Sequence, residues 1–110
     1  MPLIIRQQAT TEDIAKMAED YEGYIKVVVD ISRGILAGGG EMHVDAEAVL
    51  LADGSKQQDL WGGGIDWDTK EIDYNSMINL RPRDGNPSRD ILSSGVRQKF
   101  DAVMQRLLLS

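Results

Sequence analysis

The segment YIKVVVDISRGILAGGG, Tyr24 to Gly40, decides how the rest of the chain is read. Successive side chains of a strand point to opposite faces. Ile25, Val27, Val29 and Ile31 therefore share one face, and Lys26, Val28 and Asp30 the other. The density of β-branched residues favours a strand over a helix. SRG (Ser32–Gly34) makes a tight connection in which Gly34 is free to take a positive φ, and ILAG (Ile35–Gly38) returns antiparallel. The segment is predicted to be a hairpin.

Upstream, Leu3 to Ile5 is a short apolar run and reads as a strand, with parallel pairing to a neighbour as one option. A helix follows it. Thr10 or Thr11 can cap, Asp13 stands where a capping-box partner belongs, and Ile14, Met17, Ala18 and Tyr21 fall on one helical face. Gly23 supplies a stop. Downstream, DAEAVLLADG (Asp45–Gly54) reads as a short helix with Asp45 as N-cap and Gly54 at its end. A strand through Val49 to Leu51 competes with it.

A second hairpin is predicted, with Leu60 to Asp66 as one arm and Glu71 to Leu80 as the other, joined through Asp68–Lys70. Gly62, Gly63 and Gly64 interrupt its first arm, which implies a bulge, an edge, or a backbone passing close. RPRDGNPSRD (Arg81–Asp90) is a loop by its prolines, glycine and asparagine. The last helix takes Ser94 as cap and sets Val96, Phe100, Val103, Met104, Leu107 and Leu108 at helical spacing. The order β-α-β-β-α-β-β-α predicts one α+β domain over residues 1–110. It has a small, mostly antiparallel sheet of about five strands, with three helices packed on one face.

With 110 residues and no cysteine, the chain buries a core without disulfides, and thiolate metal sites and cysteine nucleophiles are excluded. Its N-terminus reads as a strand, not a leader, and no apolar run approaches a membrane span, so a cytoplasmic protein is expected. The net charge of −6 argues against duplex nucleic acid as a partner. The charge is uneven: residues 81–110 are net basic and could hold a small anion.

GGGEMHVDAE (Gly38–Glu47) contains the only histidine. If the stretch is extended, Glu41, His43 and Asp45 point to one side. Such a trio could hold a divalent ion or run hydrolysis with His43 as base, yet no HExxH or G-x-S-x-G pattern accompanies it. Read as an anion grip, Gly38, Gly39 and Gly40 present bare N–H groups ahead of a helix, and Arg81, Arg83, Asn86 and Arg89 supply the cations and donors. The bland alternatives are an acidic strand-to-helix junction capped by Asp45, and asparagines bonded to their own loop. Trp61 and Trp67 read as core or contact residues, with ring stacking as the alternative. Met104, Leu107, Leu108 and Leu109 span more than one helix face, which allows a homodimer.

The motifs GGGEMHVDAEA, DGSKQQDLWG and SMINLRPRDGNPSR together resemble a small prokaryotic family of uncharacterised proteins of about this length, a domain of unknown function. The resemblance covers most of the chain. It implies one compact domain and brings no catalytic residues and no cofactor with it. Three readings therefore stand: a binding module for a small anionic ligand or partner through the Gly38–Gly40 and Arg81–Arg89 loops, a small hydrolase using His43 with Asp45 and Glu41, and a homo-oligomeric interaction protein.

Overall fold

The computed structural model describes residues 1–110. The elements run β1 (Leu3–Ile5), α1 (Thr11–Met17), β2 (Tyr24–Asp30), β3 (Ile35–Gly38), α2 (His43–Ala52), β4 (Leu60–Asp66), β5 (Ile72–Asp73) and α3 (Ser94–Met104). Short 3-10 turns lie at Gln57–Asp59, Met77–Asn79 and Pro82–Asp84, and a π turn at Gln105–Leu109 prolongs α3. The fold is the predicted α+β class and order.

The sheet order is β1-β3-β2-β4-β5, and every pairing is antiparallel. The β2–β3 hairpin forms as read, with Gly34 at φ +69° in its turn. Asp30 closes that turn, its Oδ1 accepting from the N–H groups of Ser32 and Arg33 at 2.9 Å each. The parallel option for β1 does not hold. β1 does run in the direction of β2, but β3 lies between them, so β1 meets an antiparallel neighbour with Leu3 opposite Gly38.

Helices cover both faces rather than one. Ile25, Val27 and Val29 of β2 join Ile65 of β4 in the larger core, which Met17 of α1 and Phe100, Val103 and Met104 of α3 close. On the opposite face Val28, Ile35, Ala37 and Leu60 pack against Ala46 and Leu50 of α2. The strand alternation separated these sets correctly. The second face is apolar as well, through Val28 and Ala37, so it too needs a cover. A polar network seals its rim. Ser55 Oγ donates to Asp30 Oδ2 at 2.7 Å, Arg33 donates to Ser55 Oγ at 2.8 Å, and Asp53 pairs with both Arg33 and Arg6.

Several boundaries shift. α1 has the predicted capping box between Thr10 and Asp13 but ends at Met17, so Tyr21 lies beyond it. Glu19, Asp20 and Glu22 follow there, and acids oppose the negative end of a helix. α3 is capped by Ser93, one residue before the expected Ser94. Leu107 and Leu108 are both buried, continuing the helical spacing of Val103 and Met104 through the π turn, and Leu109 packs against the same core. The homodimer reading loses that stretch as its surface. The second arm of the β4–β5 hairpin is only Ile72–Asp73, not Glu71–Leu80. Beyond Asp73 the buried Asn79 side chain takes over the pairing with β4. No helix is long and apolar enough to cross a membrane.

Candidate functional site

The Gly38–Gly40 turn does grip an anion, and the anion is the protein's own. Gly40 N–H donates to Asp20 Oδ2 at 2.9 Å, Gly39 N–H donates to the Lys26 carbonyl at 2.8 Å, and Gly38 is paired in the sheet. Gly39 and Gly40 have φ of +92° and +81°, and a Cβ on Gly39 would stand 3.0 Å from the Met17 backbone. Glycine is needed there for shape. Gly40, Glu41 and Asp45 line a shallow cleft of about 430 Å³ with Asp20, a set of acids that repels anions.

The predicted cap is also displaced. α2 begins at His43 with Met42 as N-cap and no side-chain cap bond, so Asp45 is the third helical residue and caps nothing. Being already helical, the stretch does not place Glu41, His43 and Asp45 on one strand face. No group of acids and histidine in the fold is arranged to hold a metal. His43 turns to β4 instead, its Nε2 2.7 Å from the Gly63 carbonyl. Burial lowers the His43 pKa; the hydrogen bond to the Gly63 carbonyl opposes it in part, and smaller effects of Lys26, downward, and Asp73, upward, follow. With Nε2–H donating to Gly63, the neutral ring keeps Nδ1 as an acceptor. The ring borders a recess of about 170 Å³ with Lys26, Ser76 and Met77. Neither Glu41 nor Asp45 makes a side-chain bond to it; the Glu41 carbonyl holds Lys26 Nζ at 2.7 Å and Tyr21 Oη at 3.0 Å.

In the loop after β5, Asn86 is a scaffold residue. Its buried amide donates to the carbonyls of Asn79, Ser88 and Asp90, and its Oδ1 accepts from Leu92 N–H at 3.0 Å. Arg83 and Arg89 are exposed and their side chains make no bond in the fold. Arg81 is different. It donates to the carbonyls of Ile78, Gln58 and Leu60 while its guanidinium lies 4.1 Å above the Trp61 ring. Trp61 is thereby a core residue with a cation stacked on it, and Trp67 carries Lys70 over its ring.

Arg81 does not meet the triple glycine. In the β2–β4 register Lys26, beside Gly39, opposes Gly64, whereas Asp30 opposes Leu60, beside Arg81. Four residues at about 3.3 Å each separate those two ends of the sheet. What Arg81 does meet is a cleft of about 680 Å³ between α2 and the Ser76–Asp84 segment, bordered by Glu47, Lys56, Gln58, Ile78 and Asp84. Burial lowers the Arg81 pKa somewhat, and Asp84, Glu47 and Asp59 hold it up, so the guanidinium stays charged. Only Asp53 forms ion pairs in this protein, so Lys56, Arg81 and Glu47 are all free of one.

Glu47 and Lys56 escaped the sequence reading. The available signal was position: Ala46 and Leu50 form the inward face of α2, and Glu47 lies between them. A charge on the buried stripe of a helix is unusual enough to mark a site. Lys56 carried no comparable signal, because only the fold brings Gln57–Asp59 beside Arg81.

Comparison with curated proteins gives no match, and neither does comparison with solved structures. A family model described as a protein of unknown function, DUF5674, matches residues 3–107. That span runs from the first strand to the last helix and includes every residue of the cleft, and the chain belongs to the DUF5674 family.

Proposed function

We propose that this domain is a binding module for a small anionic ligand, and that the ligand sits in the cleft between α2 and the Ser76–Asp84 segment. One observation carries the reading: Lys56 and Arg81 border the same concave surface and neither is neutralised by an ion pair. Pockets that combine apolar walls with a few convergent polar groups are the usual sites for small ligands. Ile78, Met77 and Leu80 form the apolar part here. The cations replace the expected pairing of Gly38–Gly40 with Arg81–Arg89, since the glycine turn already holds Asp20.

Arg81→Ala is a poor test, because the residue also ties three carbonyls and covers Trp61. Lys56 is exposed and makes no side-chain bond, so Lys56→Gln alters charge alone. Calorimetric titration of phosphate, nucleoside monophosphates and short dicarboxylates should give binding that weakens about tenfold in Lys56→Gln, the value of one charge-assisted hydrogen bond. Equal affinity of the two proteins for every anion would overturn the reading.

A homodimer is the second reading. Met77 and Leu80 on the cleft and Met42 and Val44 beside it are all exposed apolar side chains on one side of the molecule. Light scattering at increasing concentration tests it, and a constant monomer mass ends it.

A further inference from the structure

Glu47 is the one buried charged side chain whose role the fold leaves open. Its residue surface is 9% exposed, yet its carboxylate accepts no hydrogen bond and joins no ion pair. The comparison with Asp30 is instructive. Asp30 is wholly buried, and both of its oxygens are occupied, by two backbone N–H groups and by Ser55. Taking a carboxylate out of water is costly unless partners replace the water, and Asp30 follows that rule. Glu47 has no such partners: most of its surface is covered, but its unpaired carboxylate stays open to solvent. It borders the α2 cleft, where a ligand can reach it.

The other groups on the cleft say what that partner is. Lys56 and Arg81 provide positive charge, and Asp84 stands with Glu47 as the negative set. Lys56 and Arg81 accept the anionic end of a ligand, and the two acids leave a place for a positive charge beside it. The cleft favours a ligand with charges of both signs, its acid toward Lys56 and Arg81 and its donor toward Glu47. Gln57 and Gln58 on the same rim can hydrogen-bond either end.

We propose that Glu47 is the recognition point for a protonated nitrogen, and that the ligand is a small zwitterion carrying an ammonium or guanidinium group together with a carboxylate or phosphate. This rests on the cleft being the ligand site. A protonated nitrogen makes a charge-assisted hydrogen bond to a carboxylate, so it contributes to affinity as well as to selection.

The test uses matched ligands on the full chain. Glycine, β-alanine, γ-aminobutyrate and δ-aminovalerate are titrated beside acetate, propionate, butyrate and valerate, with phosphoethanolamine beside ethyl phosphate. At least one amino member should bind about tenfold more tightly than its partner without the amine, and Glu47→Gln should abolish that advantage while leaving the plain acid as tight or tighter. Plain acids that bind as well as their amino partners overturn the zwitterion and leave the anion site standing. Failure of every ligand to bind removes both. An amine advantage that survives Glu47→Gln overturns Glu47 as the recognition point, and where a melt finds Glu47→Gln unfolded, Glu47→Asp, which draws the same charge back, should reduce the advantage in its place.

Discussion

Asn79 holds Gly62 by both of its backbone groups. Gly62 N–H donates to Asn79 Oδ1 and Asn79 Nδ2 donates to the Gly62 carbonyl, each at 2.8 Å. A primary amide offers the donor and acceptor of a peptide bond, so this side chain replaces the next strand where β5 has ended. The same Nδ2 reaches the carbonyls of Tyr74 and Arg89, which gathers the loop behind it. Glycine at 62 permits the approach, since a Cβ there would lie 2.6 Å from Ser76.

Asn79→Ala should therefore cost about 2–4 kcal/mol, because it leaves buried backbone groups without partners at about 1–3 kcal/mol each. Asn79→Asp should be no better, as a carboxylate cannot donate to the three carbonyls and brings a charge into the core. Urea denaturation of the three proteins checks this. A loss below about 0.5 kcal/mol for either variant would mean that water or another side chain serves Gly62 equally well.

Gly63 should tolerate substitution far worse than Gly85. A Cβ there would collide with the Asp73 carbonyl and stand 2.8 Å from Phe100 Cζ, both fixed by the sheet and the larger core. Gly63→Ala should cost about 3 kcal/mol or more as an overpacked core position. Gly85→Ala meets nothing within 4 Å and has only its φ of +81° against it, which puts its cost at about 1–2 kcal/mol. Thermal melts of both variants give the order, and a reversed order would remove close packing as the reason for the GGG run.

Asp30 should separate acceptor geometry from charge. Asp30→Asn keeps an Oδ1 for Ser32 and Arg33 N–H and turns a donor toward Ser55, which can rotate to accept it. That change should cost about 1 kcal/mol. Asp30→Ala strands two backbone donors and the Ser55–Arg33 arm in a buried place, and should cost about 3 kcal/mol or more. Equal losses would show that the negative charge, felt by Arg33, matters more than the turn.

The sheet was readable in advance because its signals are local. Val27, Val28 and Val29 alternate faces whatever lies on them, and Gly34 needs its positive φ for the turn itself. Leu60–Asp66 was bounded correctly for the same reason. What sequence could not supply were partners distant along the chain. Asp20 reaching Gly40, Asn79 replacing a strand, and His43 finding Gly63 are each between residues 17 to 20 positions apart. Asp45 misled because an Asx residue before an apolar run has the composition of a cap, while the helix had already begun at His43. Asp45→Ala and Asp45→Asn should consequently differ from wild type only by the loss of a charge near the helix start, a few tenths of a kcal/mol. At the cleft, Arg81 was singled out in advance, whereas Glu47 stands out only once Ala46 and Leu50 are seen to form the inward face of α2.

His43 gives a prediction whose sign separates two chemistries. In the fold its pKa lies below the ordinary 6.5, chiefly because burial penalises the charged ring. The unfolded chain, with its histidine near the ordinary value, then binds more protons between the two pKa values, so stability rises with pH across that interval. His43 contributes fully above about pH 6.5, and its contribution is lost as pH falls below that. Wild-type stability minus that of His43→Gln should therefore shrink on acidification through this range, in urea melts at matched ionic strength. Subtracting the variant removes the common loss from Asp53, whose pKa is lowered by its bonds to Arg6 and Arg33 and which fails at lower pH in both proteins. A histidine paired with Asp45 or Glu41 would behave oppositely. The carboxylate would raise its pKa above 6.5, and the difference would grow as pH falls. A growing difference would restore the acid–base pair, and a shrinking one fits a neutral ring donating to the Gly63 carbonyl.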